Sequence, residues 1–195
     1  MRRLLIVVVS LTLPLVLTAN VAVAAVGAHV QVTNFQFTPA TSSVAQGQSV
    51  RWHFNEGTHT AEDATPMGAF DSGFRSVGST FTWPFSAAGT YPFLCGIHPS
   101  EMTGDVRVPL IVQSSSATKA TLRMSTITAP TGYVHDLQVK RPGGVWQDFR
   151  RGVTNRLATY TATQDGTHRF RARLRRPGSG AALWSTPVLV TFNVP

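Results

Sequence analysis

Residues 95–102 read Cys-Gly-Ile-His-Pro-Ser-Glu-Met. One short stretch thus carries a thiol, an imidazole and a thioether, and Cys95 is the only cysteine of the chain. A thiolate and a thioether are soft donors, and an imidazole suits many transition metals. Together they form the set that selects copper, where two histidines and a cysteine make a trigonal plane and a methionine stands off as a weak axial ligand. A single cysteine cannot close an internal disulfide. In an oxidising compartment a free thiol is a liability unless something such as a metal occupies it.

A trigonal plane needs a second histidine besides His98. Upstream the chain offers His29, His53 and His59. His53 lies in the alternating run Ser49-Val50-Arg51-Trp52-His53-Phe54, where a side chain packs or faces solvent. His29 opens another such run. His59 follows in Asn55-Glu56-Gly57-Thr58-His59-Thr60, a loop, and loops carried on a rigid scaffold are where ligands concentrate. His59 is therefore the expected partner. Cleavage after Ala28 would instead expose His29 as an N-terminal copper brace, as in oxidative polysaccharide-cleaving enzymes, but that reading leaves the Cys95 cluster without a purpose.

The chain that must position these groups begins Met1-Arg2-Arg3, continues apolar from Leu4 to Leu17, and reaches the small-residue site Ala22-Val23-Ala24. This is the pattern of a secretory leader over residues 1–25, and it predicts an exported, extracytoplasmic protein. Charge then divides the remainder. Residues 26–113 hold three basic and six acidic side chains, net −3, whereas residues 114–195 hold twelve and three, net +9. The change falls at Ser114-Ser115-Ser116-Ala117-Thr118, a small polar run of linker type. Two domains are expected, at 26–113 and 119–195, with a linker at 114–118.

Both read as all-β. Strand-like alternation recurs at His29–Val32, Ser49–Phe54, Thr80–Trp83, Thr90–Leu94 and Asp105–Val108, with turn formers such as Gln46-Gly47-Gln48 and Ala88-Gly89 between. Short strands at this spacing make a sandwich or barrel. Phe35, Phe37, Trp52, Phe81, Trp83 and Phe93 are read as core, and Met67 as loop packing.

The first domain resembles the cupredoxin family, in its plastocyanin, pseudoazurin and amicyanin branch, over residues about 30–112. The resemblance is carried by Asn34-Phe35-Gln36-Phe37-Thr38-Pro39, Val44-Ala45-Gln46-Gly47-Gln48-Ser49-Val50, Gly57-Thr58-His59-Thr60, Phe70-Asp71-Ser72-Gly73 and Gly89-Thr90-Tyr91-Pro92-Phe93-Leu94-Cys95-Gly96-Ile97-His98-Pro99, followed by Met102-Thr103-Gly104. It implies an eight-stranded Greek-key sandwich with one type I copper at one end. His59, Cys95 and His98 would lie in the plane, Met102 would be the axial ligand, and a redox partner protein would exchange single electrons with the site. Two departures stand out. Three residues separate His98 from Met102, between the two and four of the amicyanin-like and plastocyanin-like loops, so Glu101 competes with Met102 for the axial position. Thr60 stands where many relatives carry an asparagine that ties the ligand loops together.

The second domain resembles a fibronectin type III or immunoglobulin-like module, through Val139-Lys140 to Trp146, Gly166–Arg173 and Trp184-Ser185-Thr186-Pro187. In His168-Arg169-Phe170-Arg171-Ala172-Arg173-Leu174-Arg175 the apolar positions would face a core and the arginines solvent. Its charge points to an anionic envelope polymer, a lipid or an acidic protein, or lets it dock on the acidic first domain. Nucleic acid is not expected of an exported chain without a binding motif. No triad, acid pair or nucleotide loop is present in the sequence, so the expected function is electron carriage rather than catalysis. Copper delivery, or an envelope-tethered adhesion module, is the alternative.

Overall fold

The computed structural model describes residues 24–195; residues 1–23, which carry most of the proposed leader, lie outside the described residues. The described chain is all strand and turn, without a helix. Ten strands build the first unit: β1 (Val26–Thr33), β2 (Gln36–Thr38), β3 (Thr41–Ser43), β4 (Gln48–Phe54), β5 (Thr58–His59), β6 (Glu62–Asp63), β7 (Arg75–Ser76), β8 (Thr80–Phe85), β9 (Gly89–Leu94) and β10 (Thr103–Val108). They form two four-stranded sheets, β2-β1-β4-β8 and β3-β10-β9-β6, with β5 and β7 paired separately.

Alternation drives the assembly. In β4, Val50, Trp52 and Phe54 point inward and are fully buried, while Arg51 and His53 point out. In β9, Tyr91 and Phe93 point inward, and Cys95 continues the same face one residue beyond the strand. Trp52 centres the core, with ring centroids of Phe70, Phe81 and Phe93 at 5.6, 5.6 and 5.5 Å. Within the second sheet the Phe93 ring lies over its cross-strand partner Gly104, where a Cβ would fall 2.5 Å from Phe93 Cζ. A glycine inside a strand commonly marks such a close approach.

The second unit comprises β11 (Ile111–Ser115), β12 (Lys119–Arg123), β13 (Val134–Lys140), β14 (Trp146–Val153), β15 (Leu157–Thr161), β16 (Gly166–Arg176), β17 (Gly180–Ala181) and β18 (Val188–Phe192). One sheet is β11-β12-β15; the other is β14-β13-β16 with β17 and β18 both on β16. The linker expected at 114–118 is corrected here. Ser114 and Ser115 pair with Thr121 and Ala120 as the end of β11, and Leu110 already belongs to the second core. The run looked like a linker because an edge strand shows water a polar face.

The units are joined by shared packing. Ala182 of the second unit lies in the first core, and Ala88 of the first lies in the second core. Backbone bridges join Ala87 to Ser125 and Thr90 to Leu183. The Gln46 side-chain amide donates to the carbonyls of Pro109 (2.9 Å) and Arg123 (2.8 Å). Met67 is buried in the first core, and Gly180 packs so near that a Cβ there would lie 2.7 Å from Met67 N. The ion pairs among the described residues lie within one unit or the other.

Inside the second unit Asp136 is buried under a lattice of donors. Arg175 donates to both carboxylate oxygens (2.8 and 3.1 Å), Arg173 donates at 3.3 Å and Gly152 N at 3.0 Å. Burial opposes ionisation of Asp136, but the bonds from Arg175 and Gly152 outweigh it and hold the carboxyl below the usual carboxylate range. Its neighbour His135 is buried with Nε2 unpartnered. Desolvation pushes this imidazole down to about 4, against a smaller upward pull from Asp136.

The sign of the pH effect follows. Between pH ~6.5 and ~4 the unfolded chain binds a proton at His135 that the native state refuses, so stability falls with falling pH. The loss should reach about 3 kcal/mol and then level off below the native value. Urea unfolding at pH 7 and pH 5 should show it, and His135→Leu should flatten the slope across that window. An unchanged slope in the variant would contradict this assignment.

Candidate metal centre

β9 delivers Cys95 to the end of the sandwich, and the chain turns there at once. His98 N donates to Cys95 O (3.0 Å), Met102 N to His98 O (2.9 Å) and Cys95 N to Met102 O (3.0 Å). The loop closes on itself before β10 begins. On the facing side, β5 holds His59 by pairing it with Arg75 of β7. His59 Nδ1 stands 3.7 Å from Cys95 Sγ, and His98 Nδ1 stands 3.8 Å from the same sulfur. The donor atoms of His59, Cys95 and His98 all lie within 4.8 Å of one another. With metal–sulfur and metal–nitrogen bonds of ~2.3 and ~2.05 Å, ligands at trigonal angles sit ~3.8 Å apart. Both sulfur–nitrogen distances match those of ligands on one ion, and the donor set is one that suits copper.

Burial grades the four expected ligands. Cys95 and Met102 are fully enclosed, His59 is 2% exposed, and His98 is half-buried. Glu101, the competitor for the axial position, is exposed. Met102 belongs to the same buried cluster as Cys95. The three-residue spacing thus turns Glu101 outward and Met102 inward. Met102→Leu should keep a coloured copper complex and raise its potential, while Glu101→Gln should leave spectrum and potential unchanged. The reverse pattern would make Glu101 the axial ligand.

The tie that Thr60 left open is present in another form. Thr60 N donates to Cys95 Sγ (3.4 Å), and Thr60 Oγ1 accepts from Gly96 N (2.6 Å). A hydroxyl has the acceptor that an asparagine carboxamide would supply. Thr60 therefore clasps both sides of the cysteine, and its N–H stabilises negative charge on sulfur. The sequence marks Thr60 as the residue in place of the tying asparagine but carries no signal of the bonds it makes instead.

The remaining candidates fall elsewhere. His29 lies inside β1, and its Nδ1 meets His53 Nε2 at 2.7 Å on the outer face of the sheet. Neither joins the Cys95 group. Burial and the nearby His98 lower the pKa of His59, with Glu56 opposing. The Glu62 carboxyl packs against Gly96; burial first, then Asp71, raises its pKa. Phe35 corrects the core assignment. It is 59% exposed, adopts φ 62°, and sets its ring edge-on to His98 with centroids 4.8 Å apart. Ile97, also exposed, adjoins it in chain order to His98.

Two four-stranded sheets thus close at one end on a cysteine and two histidines, a β-sandwich whose donor group could hold a soft metal ion. Solved structures that this chain is similar to include a reduced amicyanin variant, at 25% identity over 46% of this chain and 86% of that one, with a TM-score of 0.39. A purple cupredoxin from Nitrosopumilus maritimus matches at 21% identity, over 42% of this chain and 98% of its own, with a TM-score of 0.39. No family model and no curated protein sequence matches the chain.

Proposed function

We propose that the chain is an exported type I copper protein that carries single electrons. The observation that carries the reading is the convergence of His59 Nδ1, Cys95 Sγ and His98 Nδ1 at trigonal-ligand spacing, with one of the three ligands half-exposed. A bound copper ion supplies a one-electron couple between its two common oxidation states. The residues of the chain do the rest. Cys95 provides a thiolate in a site that excludes water, and the Thr60 N–H offsets part of its charge. The closed 95–102 loop and the β5–β7 pair hold the donors in one arrangement, which limits reorganisation on electron transfer. His98 reaches the rim beside exposed Phe35 and Ile97, where a redox partner protein would dock. The leader read at residues 1–25 supports export. In this reading the chain carries electrons and turns over no substrate. The pairing of a three-stranded with a five-stranded sheet in the second unit supports a fibronectin type III-like module there.

The test is voltammetry of the copper-loaded protein. A reversible wave with one electron per copper supports carriage. Copper that leaves the protein on reduction, or passes to a chelator as fast as it binds, favours the delivery reading.

A further inference from the structure

The basic charge of the second unit is not spread evenly over idle side chains. On the outer face of the β13–β16 pair, register sets Asp136 opposite Arg173, Gln138 opposite Arg171 and Lys140 opposite Arg169. The first two rungs are complementary. Arg173 and Arg175 bond Asp136, while Arg171 bonds Gln138 through Nε (2.9 Å) and a terminal nitrogen (2.7 Å). Arg171 is also stacked between Trp146 and Trp184, 4.1 and 4.9 Å from their centroids, and Arg173 lies 4.3 Å from the Trp184 centroid. These arginines serve the fold.

The third rung breaks the pattern. Two cations face each other, and like charges directly opposite on neighbouring strands are destabilising. The next residue, Arg141, adds a third. Lys140, Arg141 and Arg169 line one recess of about 350 Å³, with Thr167 and the Pro142-Gly143-Gly144 turn as its walls. No acid lines it. The three acids of the second unit are engaged elsewhere: Asp136 with Arg173 and Arg175, Asp148 with Arg151 and Gln138, Asp165 with Val194 N. Among the described residues neither Lys140 nor Arg169 has an ion-pair partner.

We propose that this recess binds the phosphate group of an anionic polymer, an oxyanion seated between Lys140 and Arg169 with Arg141 closing over it. Phosphate fits because three cationic side chains line the recess without an acid, Arg141 also donating to Gln147 Oε1, and an arginine fork matches two phosphate oxygens at once. The recess has room for the phosphate and part of the unit that carries it. It lies at the Arg169 end of β16, whereas Leu174 near the other end packs on the copper unit. Occupation would therefore leave the His98 rim free. The assignment does not depend on the copper reading.

Titration of the full chain with pyrophosphate at physiological salt, followed by calorimetry, tests it. Saturable binding is expected, and the double variant Lys140→Gln/Arg169→Gln should weaken it by at least about tenfold. Arg150→Gln/Arg151→Gln removes the same charge from β14 and should weaken it by less than about twofold. Equal losses in the two double variants, or no saturable binding, would overturn the site. The circular dichroism spectrum of each variant reports whether the fold is intact. A soluble poly(glycerol phosphate) should bind with the same residue dependence. Retention by phosphatidylglycerol vesicles, with no binding of the soluble polymer, would overturn the polymer as the source of the phosphate.

Discussion

Cys95→Ser should abolish the strong visible band of the copper-loaded protein and lower copper affinity by at least about 1,000-fold, or roughly 4 kcal/mol. Cys95 is the only member of the donor group that can bind a metal as an anion, and it is fully buried at the point where His59 and His98 converge. A serine hydroxyl stays protonated near neutral pH and offers a hard, neutral oxygen in place of a soft thiolate. The substitution is nearly isosteric, so the sandwich should persist, and the Thr60 N–H now 3.4 Å from sulfur would meet an oxygen acceptor instead. Copper titration followed by absorption checks both parts. His53→Ala is the control. It removes a histidine that pairs with His29 on the outer face, and it should change neither colour nor affinity.

The second large effect is expected at Trp52. Trp52→Ala should destabilise the first unit by about 3–5 kcal/mol, the usual cost of emptying a large aromatic from a core. Trp52 is fully buried and its ring meets those of Phe70, Phe81, Phe85 and Phe93. Against a typical total of about 5–15 kcal/mol the loss consumes a large share of the margin. Phe93 stands two residues before Cys95, so relaxation into the cavity would also disturb the strand that delivers the thiolate. Trp52→Phe should cost less, because it leaves a smaller void and removes an indole Nε1 that has no partner in the fold. Chemical unfolding followed by tryptophan-independent probes, such as circular dichroism, measures both variants. Equal stability of Trp52→Ala and the parent chain would contradict the packing described for this core.

The features legible in the sequence were those encoded locally. Alternation in β4, β9 and β16 marked strands and their inner faces, because side chains on a strand have a period of two. The sequence offered Cys95 and His98 by type and spacing and His59 as a loop residue; the structure sets His59 in the short strand β5 and brings the three donor atoms within 4.8 Å of one another. Phe35 was misread because its neighbour Phe37 does point inward; the turn at φ 62° between β1 and β2 carries Phe35 out to the His98 rim. Ser114 and Ser115 read as linker because composition reports solvent contact and not hydrogen bonding across an edge. The arginines of β16 looked alike in sequence. Only register separates those bound to Asp136, Gln138 and the two tryptophans from Arg169, which faces another cation. The contact of the two units was equally hidden. It rests on Gln46, Ala87, Thr90 and Ala182, none of which carries a local signal of its partner.

The central claim is the arrangement of His59, Cys95 and His98 round one copper ion. The most direct measurement is the absorption and electron paramagnetic resonance of the purified chain after one equivalent of Cu(II). The account predicts an intense thiolate-to-copper band in the red with a narrow copper hyperfine splitting. A pale complex with the wide splitting of ordinary Cu(II), or oxidation of Cys95 without a stable complex, would contradict it.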